Sequence, residues 1–305
     1  MGGMLLAMQG AVSQGILWGI MVLGVYITYK ILDIADLTVD GSFALGGCIC
    51  ALLVVEKGMN PILALFIATL GGVLAGAVTG FLHTVFDIPA ILAGILSQIA
   101  LWSINLRIMG KSNIPLLKVD TINTLLMDAT GLSQSQSTLI IGILIAILMI
   151  FLLYWFFGTE IGSALRATGN NEAMIRALGV NTKKTKMLAL MISNGLVGLS
   201  GALVCQSQKY ADIGMGTGAI VIGLAAIVIG DVLLGRLRSF GSKLASAIIG
   251  SIVYFLIRAI VLQLGMDAND MKLLSATIVA LALCIPVSIE RFKNKRAYRK
   301  GGPVC

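Results

Sequence analysis

Nine apolar runs, each about the length of a bilayer-spanning helix, occupy most of the chain. They cover residues 12–29, 38–55, 62–85, 89–108, 138–157, 187–205, 218–234, 244–264 and 272–289. Crossing the hydrocarbon core takes about 20 apolar residues. Inside lipid every backbone N–H and C=O must find its partner within the protein, so such runs fold as helices. The sequence therefore predicts an all-α, polytopic transmembrane helical bundle of about 8–10 spans, forming a single domain over residues 1–305. Some spans are expected to be broken or re-entrant. Composition closes the soluble alternative: 58% of residues are hydrophobic and 12% charged, with a mean hydropathy of +0.98. A soluble domain carries about 25% charged residues.

Enzyme chemistry finds little support. Cys48, Cys50, Cys205 and Cys284 sit within apolar runs and Cys305 is the last residue, so neither a disulfide framework nor a metal site is expected. His83 is the only histidine and is read as structural. No Ser-His, Cys-His or HExxH arrangement appears. No GxxxxGK[ST] phosphate loop is present either, so ATP is not expected to be hydrolysed on this chain. The N-terminus lacks the basic stretch and cleavage site of a signal peptide, so the first run is expected to remain a helix.

The net charge of +8 is a topology signal. Lys and Arg gather in 158–186, around Arg236, Arg238 and Lys243, and in the tail 290–305. These clusters are two crossings apart, so they share one side, which the positive-inside rule makes cytoplasmic. The loops carrying Asp212, Asp267 and Asp270 fall outside, and counting back places the N-terminus outside as well. The basic tail reads as a solvated anchor beside anionic lipid. Nucleic acid is not expected as a partner.

The segment 158–186 is the longest cytoplasmic loop and reads as structured. Gly169-Asn170-Asn171 offers a turn, with Asn170 or Asn171 able to cap a helix. Glu172, Ala173, Met174, Ile175, Arg176 and Leu178 then give about two helical turns, stopped by Gly179. Glu172 sits at the positive end of that helix. Met174, Ile175 and Leu178 form a small apolar face, which either packs on the protein's own helices or docks on a soluble partner.

Residues 162–180, GSALRATGNNEAMIRALGV, resemble the cytoplasmic loop of ATP-binding-cassette importer permeases of the branched-chain amino acid and ribose type. The segments IADLTVDGSFALGG (34–47) and GLVGLSGAL (195–203), and the late Gly230-Asp231, Gly241 and Gly250 motifs, resemble that family in the same order. The overall wording is most similar to tryptophan/tyrosine-type permeases. Asp40 and Asp231 replace glycines of the sugar-type members. The resemblance implies a type II importer-like fold with an inverted repeat, and a multi-pass protein of the bacterial cytoplasmic membrane with a cytoplasmic C-terminus. It implies two copies of this chain, two ATPase subunits beneath them and an external or periplasmic solute-binding protein. ATP and magnesium would be used by the ATPase subunits, and this chain would bind no cofactor. The helix from Asn170 to Gly179 would couple ATP hydrolysis to transport of a small solute, an amino acid and by preference an aromatic one, with branched-chain next.

Polar residues at membrane depth are candidates for the pathway. They are Asp40, Ser42, Ser97, Gln98, Asn105 and Asn194, and also Gln206. The cluster Asp33, Asp36 and Asp40 reads first as hydrated at the interface, and otherwise as shaping a broken helix. Arg258 reads as snorkelling or paired with an acid. Gly72, Gly76 and Gly80 share a helix face, as do Gly195, Gly198 and Gly201, which suits tight packing or a sliding surface. An ion-gradient-driven transporter is the alternative, motivated by Asp40 and Arg258. A membrane enzyme or receptor is a third reading without a catalytic constellation.

Overall fold

The computed structural model describes residues 2–117, 119–234 and 239–265, and beyond them 270, 273, 275–281 and 284. Among the described residues eight helices are long and apolar enough to cross a membrane. The helices are α1 (Gly2–Tyr26), α2 (Thr38–Val55), α3 (Pro61–Thr84), α4 (Ala90–Met109), α5 (Ile122–Thr130), α6 (Gln134–Gly158), α7 (Glu160–Asn170), α8 (Glu172–Ala177), α9 (Thr182–Gln208), α10 (Ala219–Leu234) and α11 (Phe240–Gln263). A π-helical turn, Ile27–Ile31, extends α1, and a 3-10 turn, Ile213–Gly216, precedes α10. Two short strands, β1 (Asn113–Pro115) and β2 (Tyr210–Asp212), pair antiparallel. The expected ninth span, 272–289, falls largely outside the described residues, and the tail 290–305 falls wholly outside them.

The helices form where the apolar runs lie, and polar caps set their ends. The Asn60 side chain accepts from Ile62 N, and Pro61 opens α3 without an N–H to satisfy. Asn181 accepts from Lys184 N and starts α9 at Thr182, ahead of the apolar run at 187. Part of the expected loop 158–186 is therefore the first turn of a span.

Helices α1 and α9 form the centre, each buried over 83% of its most apolar stretch, whereas α6 is buried over 17% and faces outward. Helix α9 packs on α3, α2 and α1, and α11 packs on α1 and α10. Glycines make the closest crossings. A Cβ on Gly72 would run into the Asn194 carbonyl, one on Gly76 into the Leu190 carbonyl, and one on Gly201 into the Phe43 carbonyl. Gly72, Gly76, Gly198 and Gly201 thus make backbone-to-backbone contacts, whereas Gly195 meets the Val73 side chain. Gly72→Leu is expected to cost about 1–3 kcal/mol or more by overpacking. Thermal melting in detergent checks this against Gly158→Ala, where a Cβ meets nothing.

The seventh span is a broken helix. Met215 lies against Gly47 and Gly216 against the Asp40 backbone, so the 3-10 turn runs down beside α2. The chain breaks at Thr217 and Gly218, where Gly218 takes φ +83°, and α10 then begins inside the bundle.

Candidate functional site

Helices α7 and α8 lie at one end of the bundle, and β1, β2 and α5 at the other. Thr159 caps α7, its side chain accepting from Gly162 N. Gly169 and Asn170 continue α7 to its end, so the expected turn at Gly169-Asn170-Asn171 is a correction: the break is at Asn171 alone. The reason is packing, since a Cβ on Gly169 would meet the Ile31 carbonyl of the π turn. Asn170 borders a polar cavity of about 350 Å³ with Lys30 and Asp33.

Asn171 opens α8 by accepting from Met174 N at 3.0 Å. Gly179 ends the turn with φ +85°. The apolar residues divide. Ile175 is buried and anchors α8 to the bundle, whereas Met174 and Leu178 are 52% and 71% exposed. Ala173 and Arg176 are exposed beside them. Glu172 fixes the orientation, accepting from Lys186 Nζ at 2.6 Å and from Arg176 Nη2 at 2.8 Å. The hydrogen bond from Lys186 is the largest cause that holds the Glu172 carboxyl below its ordinary pKa. A depressed folded pKa contributes stability above the unfolded value of about 4.3 and loses it as pH falls through the folded value. The melting difference between the protein and Glu172→Gln is therefore expected to be small and positive near neutral pH, and to vanish in acid.

A second set of polar groups ties the helices together at membrane depth. Asp36 is 2% exposed and accepts from Thr38 N at 2.9 Å and from Asn194 Nδ2 at 2.7 Å. Ser42 Oγ donates to Asn194 Oδ1 at 2.7 Å. Thr79 Oγ1 donates to Ser97 Oγ at 2.8 Å and lies 2.8 Å from Thr38 Oγ1. Asn105 Nδ2 donates to the Gly41 carbonyl at 3.4 Å, while its buried Oδ1 has no donor. Gln98 is half-buried on α4, its Cα close to Gly41.

Asp40 closes the helix break. Its carboxylate accepts from Gly218 N and from Ile220 N, both at 2.9 Å, so it caps α10 from another helix. The interfacial hydration expected for the aspartate cluster is corrected at Asp36 and Asp40, which hold backbone and amide donors. Asp33 alone is exposed, with φ 57°. Asp40 answers to the other expectation, that of shaping a broken helix.

Thr38 and Thr79 were not singled out in the sequence, because threonine within an apolar run gives no signal. The Lys30–Asp231 ion pair at 2.9 Å was also not anticipated. It joins the π turn to α10. His83 Nδ1 lies 2.8 Å from the Ile88 carbonyl, which closes the α3–α4 turn. Gln206 accepts from Ile122 N and donates to the Pro61 carbonyl, a tie between helices α3, α5 and α9.

The profile of the family described as "Branched-chain amino acid transport system / permease component" matches residues 7–283. The chain belongs to this family. It is an ATP-binding-cassette transporter permease with multiple transmembrane helices. It is 40% identical over 275 residues to a tyrosine transport system permease protein of Clostridioides difficile, covering 89% of this chain and 90% of that protein. It is 33% identical over 276 residues to an uncharacterized protein of Rickettsia prowazekii, covering 90% and 95% of the two. The ribose import permease of Escherichia coli is 26% identical over 252 residues, 82% of this chain and 76% of that one. No solved structure matches.

Proposed function

We propose that this permease carries an aromatic amino acid, tyrosine in the first place, into the cell. The observation that carries the reading is the 40% identity with a tyrosine permease along nearly the full length of both chains. Two copies of the chain would surround the pathway, with a solute-binding protein delivering substrate on the β1–β2 side. Two ATPase subunits, which hold ATP and magnesium, would dock on α8 at the cytoplasmic side.

The α8 geometry supports the docking. Its two exposed apolar side chains stand beside a helix locked by Asn171, Glu172 and Gly179. A push on α7 and α8 has two routes into the bundle. Glu172–Lys186 leads to α9, and Gly169 against Ile31 leads to the end of α1, from which Lys30–Asp231 leads on to α10. Movement along these routes would rock the spans between outward and inward states. Ser42, Ser97, Gln98, Asn105 and Asn194 would lie along the surfaces that part. Asp40, on which a gradient-driven reading rests, is engaged by two backbone donors.

Uptake of labelled tyrosine, tryptophan, leucine and ribose tests the substrate in cells with and without this chain. Loss of tyrosine and tryptophan uptake alone is the expected result. Loss of ribose uptake with tyrosine uptake intact would overturn it.

A further inference from the structure

Arg258 is a cation within a membrane span, near its end, with no part in the coupling route. It lies within the last two turns of α11, half-buried, its Cζ 5.8 Å from the centroid of the Phe255 ring. Among the described residues no carboxylate lies within ion-pair distance of it. An ionised group within a span ordinarily finds a counter-charge or a polar cavity.

Arg258 borders a cavity of about 340 Å³ between α1, the end of α9 and α11. Two other groups lining it are incomplete. Trp18 is 8% exposed and its Nε1 hydrogen has no acceptor. Gln14 donates from Nε2 to Ser207 Oγ at 3.4 Å, yet its buried Oε1 receives no donor. Buried polar groups are nearly always satisfied, so an unpaired guanidinium, an orphan donor and an orphan acceptor around one cavity mark a missing ligand. The remaining wall mixes apolar residues, Gly10, Ala11, Ala259 and Leu262 among them, with Gln208 and Gln263.

That pattern specifies the ligand. It needs anionic oxygens for Arg258 and Trp18 and a hydroxyl for Gln14, with Gln208 and Gln263 able to pair with further hydroxyls. The cavity lies where α1 begins and α9 and α11 end, at the end of the bundle away from α8, which is headgroup level. We propose that it binds a phosphate group bearing a neighbouring hydroxyl, the headgroup chemistry of an anionic glycerophospholipid such as phosphatidylglycerol. The site does not depend on which solute the permease carries.

Native mass spectrometry of the full chain tests this, with phosphatidylglycerol, phosphatidylcholine and inorganic phosphate titrated in turn. One phosphatidylglycerol per chain is expected to bind more tightly than phosphatidylcholine. Arg258→Leu removes a charged hydrogen bond and is expected to weaken it about tenfold or more. Trp18→Phe removes the N–H together with part of the buried ring beside Phe43 and Phe255, so a smaller loss of binding with some loss of melting temperature is expected. Arg258-dependent binding of inorganic phosphate without lipid retention keeps the phosphate chemistry and places its source in solution. Equal binding of phosphatidylglycerol by the protein, Arg258→Leu and Trp18→Phe, with no response to phosphate, overturns the proposal.

Discussion

Replacing Met174 and Leu178 together by Asp is expected to reduce ATP-coupled uptake at least a hundredfold while leaving the melting temperature unchanged. Both side chains are exposed, 52% and 71%, so the isolated permease loses no packing when they change. Docked against an ATPase cleft, each would contribute about 1.5–2 kcal/mol of apolar burial. Asp forfeits that and adds an unpaired carboxylate to the interface. The combined loss exceeds about 3 kcal/mol, a factor above about 100 in docking affinity. Ile175→Asp should behave differently. Ile175 is buried, so its replacement is expected to lower the melting temperature as well. Uptake and melting curves measured on the same preparations separate the two. Full uptake by the double variant would remove α8 as the docking helix.

Asp40→Ala is the second large effect. The carboxylate accepts two N–H groups from the broken start of α10, and lipid offers those donors no replacement. Charge-assisted hydrogen bonds contribute about 1.5–3 kcal/mol each, and the helix dipole adds to them. A loss of about 3 kcal/mol or more is expected, lowering the apparent melting temperature by roughly 5–10 °C. Asp40→Asn retains one acceptor oxygen and should fall between. Melting of Asp40→Ala at the parental temperature would show that water or another group satisfies the break.

These two sites were not equally legible in the sequence. The α8 caps lie within a few residues of what they cap, so Asn171, Glu172 and Gly179 announce the helix locally. The Asp40 bond to Gly218 spans 178 residues of chain, and nothing near Asp40 reveals its partner. An aspartate at the edge of an apolar run therefore looks hydrated. Gly169-Asn170 has the composition of a turn, yet Gly169 is small because the π turn abuts it. The spans themselves were plain, because lipid enforces an unbroken apolar run. Helix α9 starts early because Lys183, Lys184 and Lys186 mask its first turn. The thread through Thr38, Thr79 and Ser97 was half-visible, since only Ser97 stood out in its helix.

Uptake by proteoliposomes holding this chain with its ATPase and solute-binding partners tests most directly whether ATP hydrolysis, and not an ion gradient, drives import through it. Tyrosine accumulation is expected to require ATP and magnesium on the ATPase side and to survive proton and sodium ionophores. Accumulation by this chain alone, collapsing when an ion gradient is dissipated, would contradict it.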